Sequence, residues 1–172
     1  MRVFVTGAGR CGSVTFAKAC EAAGFVGYTC AHESHRGANP PWEYPDNHIE
    51  VDPRLTWHVP TLLKKYPEAM WVVLDRDRDA MAVSWAKRRG TMAAWRRLSS
   101  FDAPEVHAGV QSYLTFVYGA LAALLDDGGH GARLWLITPV SLEEASQFFD
   151  YVEAEGDFDA FTAALREVHN AS

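Results

Sequence analysis

The chain has 172 residues, enough for one domain with a substantial core, and its 48% hydrophobic and 22% charged content is that of an ordinary soluble protein. Its formal net charge of −6 argues against a general nucleic-acid binder, which needs a basic face to displace counterions. Cys11, Cys20 and Cys30 form no CxxC pair, so neither a disulfide framework nor a zinc module is expected.

Met1-Arg2 runs directly into a strand-like segment, and no stretch reaches the roughly 20 apolar residues of a membrane span. A cytoplasmic protein without a membrane span is expected. Arg2–Thr6 reads as a buried strand, followed by a glycine loop and a helix over Ser13–Ala23 that stops at Gly24. Phe25–Cys30 reads as a second strand. Strand, loop, helix, strand is the opening of a parallel α/β sheet, so a three-layer α/β domain spanning residues 1–172 is expected.

Residues 31–56 crowd His, Pro, Asn, Asp and Trp without periodicity, and a long irregular segment in a compact domain is often functional. Pro60–Tyr66 reads as a helix, Met70–Asp75 as a buried strand and Asp77–Gly90 as a helix. Pro104–Asp127 carries Val110, Leu114, Val117, Leu121 and Leu124 along one helical stripe, ended by Gly128-Gly129. Arg133–Thr138 reads as a further buried strand, Ser141-x-x-Glu144 as the capping box of a helix to about Glu153, and Asp157–His169 as a last helix. Lys87-Arg88-Arg89 with Arg96-Arg97 forms a basic cluster that fits either an anion site or a solvated helix face.

The loop GAGRCGSVT admits three chemical readings. Gly7-x-Gly9-x-x-Gly12 matches the dinucleotide fingerprint, and Glu33, 21 residues after Gly12, stands where an acidic residue receives the ribose hydroxyls of NAD(P). That reading implies an oxidoreductase, but Arg10 is a large cation where close backbone approach to pyrophosphate is wanted. Gly7 and Gly12 also have the separation of a nucleotide-kinase loop, yet Ser13-Val14 replaces the Lys-Ser/Thr pair that reaches the phosphates and magnesium. In the third reading, the amides of Gly12–Thr15 open a helix and cradle an anion, with Arg10 as a fixed cationic fork and Ser13 and Thr15 as hydroxyl donors.

A second motif bears on the choice. Arg76-Asp77-x-Asp79 at a strand end, with Ser84 eight residues after the arginine, resembles the 3′-phosphate motif of sulfotransferases that use 3′-phosphoadenosine 5′-phosphosulfate (PAPS). GAGRCGSVT is similar to that family's 5′-phosphosulfate loop, and the segments His32-Glu33, Glu50-Val51-Asp52-Pro53 and Tyr66-Pro67 also resemble bacterial sulfotransferase-like proteins. Two departures stand out. Arg78 occupies the place of a usual proline, and no second Lys/Arg-Gly loop is found near the C-terminus.

The resemblance implies a P-loop-like fold and transfer of a sulfuryl group to a hydroxyl or amine of a small-molecule, carbohydrate or lipid acceptor, without a metal. It assigns Gly9, Arg10, Cys11, Gly12, Ser13, Val14 and Thr15 to the 5′ end of PAPS, and Arg76 with Ser84 to the 3′-phosphate. Arg10 doubles as a catalytic residue on the leaving oxygen. The base that takes the acceptor proton is expected in the polar segment, with Glu33, Asp52 and His58 as the leading candidates beside Glu50. His58 lies in Trp57-His58-Val59-Pro60, a loose match to that family's Thr-His-Leu-Pro; packing or capping explains it equally well. Reading His32, Glu33, His35, His48 and Asp52 as metal ligands fits no standard spacing. Two other outcomes stay open: a nucleotide-binding module without turnover, and a homo-oligomer.

Overall fold

The computed structural model describes residues 1–38, 42–86, 106–126 and 133–167. The basic cluster, Gly128-Gly129 and the outer ends of three expected helices lie outside the described residues.

Five strands form one all-parallel sheet: β1 (Arg2–Gly7), β2 (Thr29–His32), β3 (His48–Val51), β4 (Met70–Arg76) and β5 (Arg133–Thr138), in the order β2-β3-β1-β4-β5. The described helices are α1 (Ser13–Ala23), α2 (Val59–Lys65), α3 (Arg78–Ala86), α4 (Val106–Asp126), α5 (Leu142–Val152) and α6 (Phe158–Arg166), with a 3-10 turn over Pro53–His58. The chain leaves β1 toward β2 in one direction and passes from β3 to β4 in the other. Right-handed crossovers therefore put α1 on one face and α2 on the other, an arrangement compatible with a three-layer α/β fold. On the α1 face Phe16, Phe148 and Phe161 pack ring to ring, with Phe16–Phe148 centroids 4.9 Å apart. On the opposite face Tyr118 of α4 donates its hydroxyl to Leu74 O of β4 at 2.9 Å.

β1 and β4 are fully buried from Val3 to Val5 and from Trp71 to Leu74, as a strand covered on both faces must be. Gly24 closes α1 in the left-handed conformation (φ 55) and Ser141 with Glu144 forms a reciprocal capping box, both as the sequence reading expects. Glu144 also accepts the Ile137 N–H of edge strand β5 at 2.6 Å. Glu144→Ala removes both bonds and is expected to cost about 1–2 kcal/mol in urea unfolding.

Four expectations are corrected. The second strand is Thr29–His32, not Phe25–Cys30; Gly27 turns the chain at φ 79, and Phe25 plugs the aromatic core instead. β5 is a half-buried edge strand, with Arg133 on the surface and Ile137 61% exposed. The α4 stripe continues from Leu121 to Leu125, which is buried, while Leu124 turns outward. A step of four residues there matches the 3.6-residue turn better than a step of three.

The fourth concerns the irregular segment, which contains β3. Ile49 and Val51 alternate with His48, Glu50 and Asp52, and a period of two puts all three polar groups on one face of the strand. There the following polar side chains and the preceding loop satisfy them. Glu50 accepts the Ser34 N–H at 2.9 Å, the Ser34 hydroxyl at 2.6 Å and His48 Nε2 at 3.0 Å. Asp52 accepts the Arg54 N–H at 2.8 Å and its guanidinium at 2.6 Å, and Arg54 also donates to His35 O.

Burial opposes charge on Glu50, but the bonds from His48 and Ser34 outweigh it and hold the carboxyl below its ordinary range. The folded pKa is thus lower than the unfolded value of about 4.3, so this stabilisation is present above that pH and is lost as pH falls through the folded value. Glu50→Gln is expected to lower unfolding free energy by about 1–3 kcal/mol at pH 7, with the gap to wild type narrowing below about pH 4. Urea unfolding across that range measures it.

Candidate functional site

In a parallel sheet every strand points the same way, so the residues that follow β1, β2, β3, β4 and β5 gather at one edge, where α/β ligands bind. That edge holds the loop Ala8–Gly12, Glu33, Asp52, Arg76 and Thr138.

The loop is shaped by close packing. A Cβ on Gly7 would stand 2.3 Å from Leu74 O on the neighbouring strand, and one on Gly9 would stand 2.7 Å from the Trp85 ring. Arg10 adopts φ 73, a left-handed conformation uncommon for a residue with a side chain and found where surrounding structure enforces it. Gly12 caps α1 at φ 96, and no side chain caps that helix start. The first N–H groups of α1 thus face the sheet edge, with the positive end of the helix dipole behind them.

Three residues assigned from two separate motifs meet here. Arg10 Nε donates to Ser84 Oγ at 2.8 Å across 74 residues, and Arg76 Nη1 donates to Arg10 O at 3.3 Å across 66 residues. Trp85, beside Ser84, donates its indole N–H to Gly9 O at 2.9 Å. Two guanidinium groups, a hydroxyl and a helix N-terminus therefore share one rim, an arrangement able to bind a polyanion.

A cavity of about 230 Å³ opens from this rim on the α1 face. Gly12, Thr15, Arg76, Thr138 and Glu167 are its polar lining, and Phe16, Pro139, Val140 and Leu165 wall it with apolar surface. Its size suits one ring system.

The other assigned residues fall into place unevenly. Thr15 lines the cavity, whereas Ser13 is buried with its hydroxyl 3.3 Å from His32 Nε2. Cys11 contributes backbone only: its thiol is buried, and burial pushes it up to about 12. Val14 is partly buried in the first turn of α1. Asp52 is fully buried and bound to Arg54. Glu33, at φ 51, faces Arg36 at 3.7 Å. His58 packs its ring against Trp42 at 4.4 Å. Trp42 and Tyr44 are core residues, while Trp57 is on the surface.

Thr138, Trp85 and Tyr118 were not singled out from the sequence. Thr138 Oγ1 lies 2.7 Å from Cys11 O and 2.9 Å from Asp75 O, tying the loop to the ends of β4 and β5. Tyr118 accepts the Ala8 N–H at 3.4 Å from beneath. The end of a strand immediately before Pro139 is the available signal for Thr138; the other two read as ordinary helix-core aromatics.

No protein-family model matches the chain, and no curated protein matches it significantly. Among the described residues no group of three His, Cys, Asp or Glu side chains is placed to hold a metal ion, and no helix is long and apolar enough to cross a membrane.

Proposed function

We propose that this chain is a PAPS-dependent sulfotransferase of P-loop-like fold that moves a sulfuryl group to a hydroxyl or amine acceptor. The observation that carries the reading is the junction of Arg10, Ser84 and Arg76, because two motifs from separate stretches of the sequence become one cationic rim. The cavity beside Gly12 and Arg76 fits the adenine ring, with the 3′-phosphate on Arg76 and Ser84 and the 5′-phosphosulfate over the start of α1.

Sheet order weighs against the nicotinamide alternative. In dinucleotide-binding sheets the strand beside β1 is β2, and its terminal acid reaches the ribose. Here β3 intervenes, so Glu33 follows a strand about 10 Å from β1 and faces Arg36.

In this reading Arg10 and the amides of Gly12–Thr15 stabilise the charge that develops on the leaving oxygen, while Arg76 and Ser84 fix the nucleotide so that attack is in line. Arg54 occupies the Asp52 carboxylate and Ser34 with His48 occupies that of Glu50, which leaves His58 and Glu33 among the proposed bases. The test is transfer of labelled sulfate from PAPS to a panel of alcohols, phenols, amines and sugars. Labelled product supports the reading. Nucleotide binding without transfer to any acceptor points instead to a binding module.

A further inference from the structure

His32 is the last residue of β2, an edge strand separated from β1 by β3, yet its side chain reaches the start of α1. Cys30 Sγ donates to Cys20 O of α1 at 3.7 Å, and residues two apart in a strand share a face, so His32 lies on the face that α1 covers. There His32 Nε2 stands 3.3 Å from Ser13 Oγ. Ser13 is the first residue of α1, directly after the left-handed Gly12 cap, and is only 9% exposed. Among the described residues this is the one hydrogen bond of the Ser13 hydroxyl, and His32 Nδ1 makes none.

A serine hydroxyl has one proton and two acceptor lone pairs. If His32 Nε2 is bare it takes that proton, and Ser13 turns a lone pair toward an anion at the start of α1. If Nε2 carries a proton it donates to Ser13 instead, and the hydroxyl proton is left for the anion. With no partner on Nδ1 among the described residues to fix the tautomer, a bound anion selects the second arrangement. We propose that His32 is a positioning residue for the 5′-phosphate: as an Nε2–H donor it turns the Ser13 hydroxyl toward the phosphate oxygens. This rests on the sulfotransferase reading, which puts that phosphate over the start of α1. The bonds from imidazole to hydroxyl to phosphate all donate in one direction, so each polarises and strengthens the next. His32 acts through Ser13 and does not itself contact the nucleotide.

Titration calorimetry with adenosine 3′,5′-bisphosphate and with adenosine 3′-phosphate, which lacks the 5′ group, tests this on wild type, His32→Ala, His32→Gln, Ser13→Ala and the double alanine variant. His32→Ala is expected to weaken bisphosphate binding about 3- to 10-fold and to leave adenosine 3′-phosphate binding unchanged. His32→Gln, whose amide N–H can donate from nearly the place of Nε2, is expected to stay within about twofold of wild type. In the Ser13→Ala background the His32→Ala loss is expected to vanish, because no hydroxyl remains to be aimed. A nitrogen-15 spectrum of the wild-type histidine rings is expected to place a proton on His32 Nε2 in the bisphosphate complex. Any of four results overturns the inference and leaves the sulfotransferase reading standing: a bare Nε2 in that complex, a His32→Ala loss that is absent or equal for both nucleotides, no rescue by glutamine, or a loss that persists in Ser13→Ala. Failure of wild type to bind the bisphosphate overturns that reading and the inference with it.

Discussion

Arg10→Ala is expected to lower the rate of sulfuryl transfer by on the order of 10²- to 10³-fold, the loss typical of removing one donor aimed at transition-state charge. The side chain is only partly buried and its Nε is bonded to Ser84, so the substitution leaves the sheet and both helix layers untouched. Arg10→Lys keeps a positive charge but not the fork that can contact two oxygens at once, and an intermediate rate is expected. Arg10→Gly serves as the backbone control, since glycine adopts φ 73 without strain. Single-turnover rates with labelled PAPS compare the three. A wild-type rate in Arg10→Ala contradicts the proposed mechanism.

Gly7→Ala is expected to be the most destabilising small substitution in the loop. Its new methyl would stand 2.3 Å from Leu74 O, a backbone atom of the adjoining central strand that cannot swing aside like the end of a side chain. Relief means spreading β1 from β4 or deforming the loop, at a cost of about 3 kcal/mol or more. At roughly 2–4 °C per kcal/mol for a chain of this size, the melting temperature falls by about 10 °C. Gly9→Ala meets the Trp85 ring at 2.7 Å instead, and that ring can tilt. Its smaller loss of stability is expected to come with loss of the Trp85–Gly9 bond, read by tryptophan fluorescence. Calorimetric melting of both variants checks the ranking.

The parts of the fold legible in the sequence are those set by local chemistry. Val3–Val5 and Trp71–Leu74 are uninterrupted apolar runs, and a strand covered on both faces needs nothing else. Gly24 and the Ser141/Glu144 pair are terminal signals whose geometry depends on a few adjacent residues. β3 was illegible because His48, Glu50 and Asp52 put charge where a strand usually hides hydrocarbon. Thr29, Ser34 and Arg54, brought alongside by the fold, make that burial tolerable. Sheet order was hidden for the same reason, since without β3 nothing separates β2 from β1.

The candidate site divides along the same line. Arg10 stands out as a cation inside the glycine loop, Arg76 and Ser84 through the resemblance to a 3′-phosphate motif, and the structure brings all three together. The base candidates were chosen by residue type within a polar segment. Residue type does not record that Arg54 would claim Asp52 or that Trp42 would pack on His58. Thr138 holds the loop through contacts 127 and 63 residues away, and no local pattern carries such information.

The central claim is that the rim of Arg10, Ser84 and Arg76 recognises an adenosine carrying phosphates at both 3′ and 5′ positions. Calorimetric titration of wild type and Arg76→Ala with adenosine 3′,5′-bisphosphate, adenosine 5′-phosphate and NAD tests it most directly. Loss of a charge-assisted phosphate contact of about 1.5–3 kcal/mol corresponds to roughly a 10- to 150-fold loss of affinity. Wild type is expected to prefer the bisphosphate over both other ligands, and Arg76→Ala to lose affinity for it by that factor while binding adenosine 5′-phosphate as wild type does. Tighter binding of NAD than of the bisphosphate, or a bisphosphate affinity unchanged by Arg76→Ala, would contradict the claim.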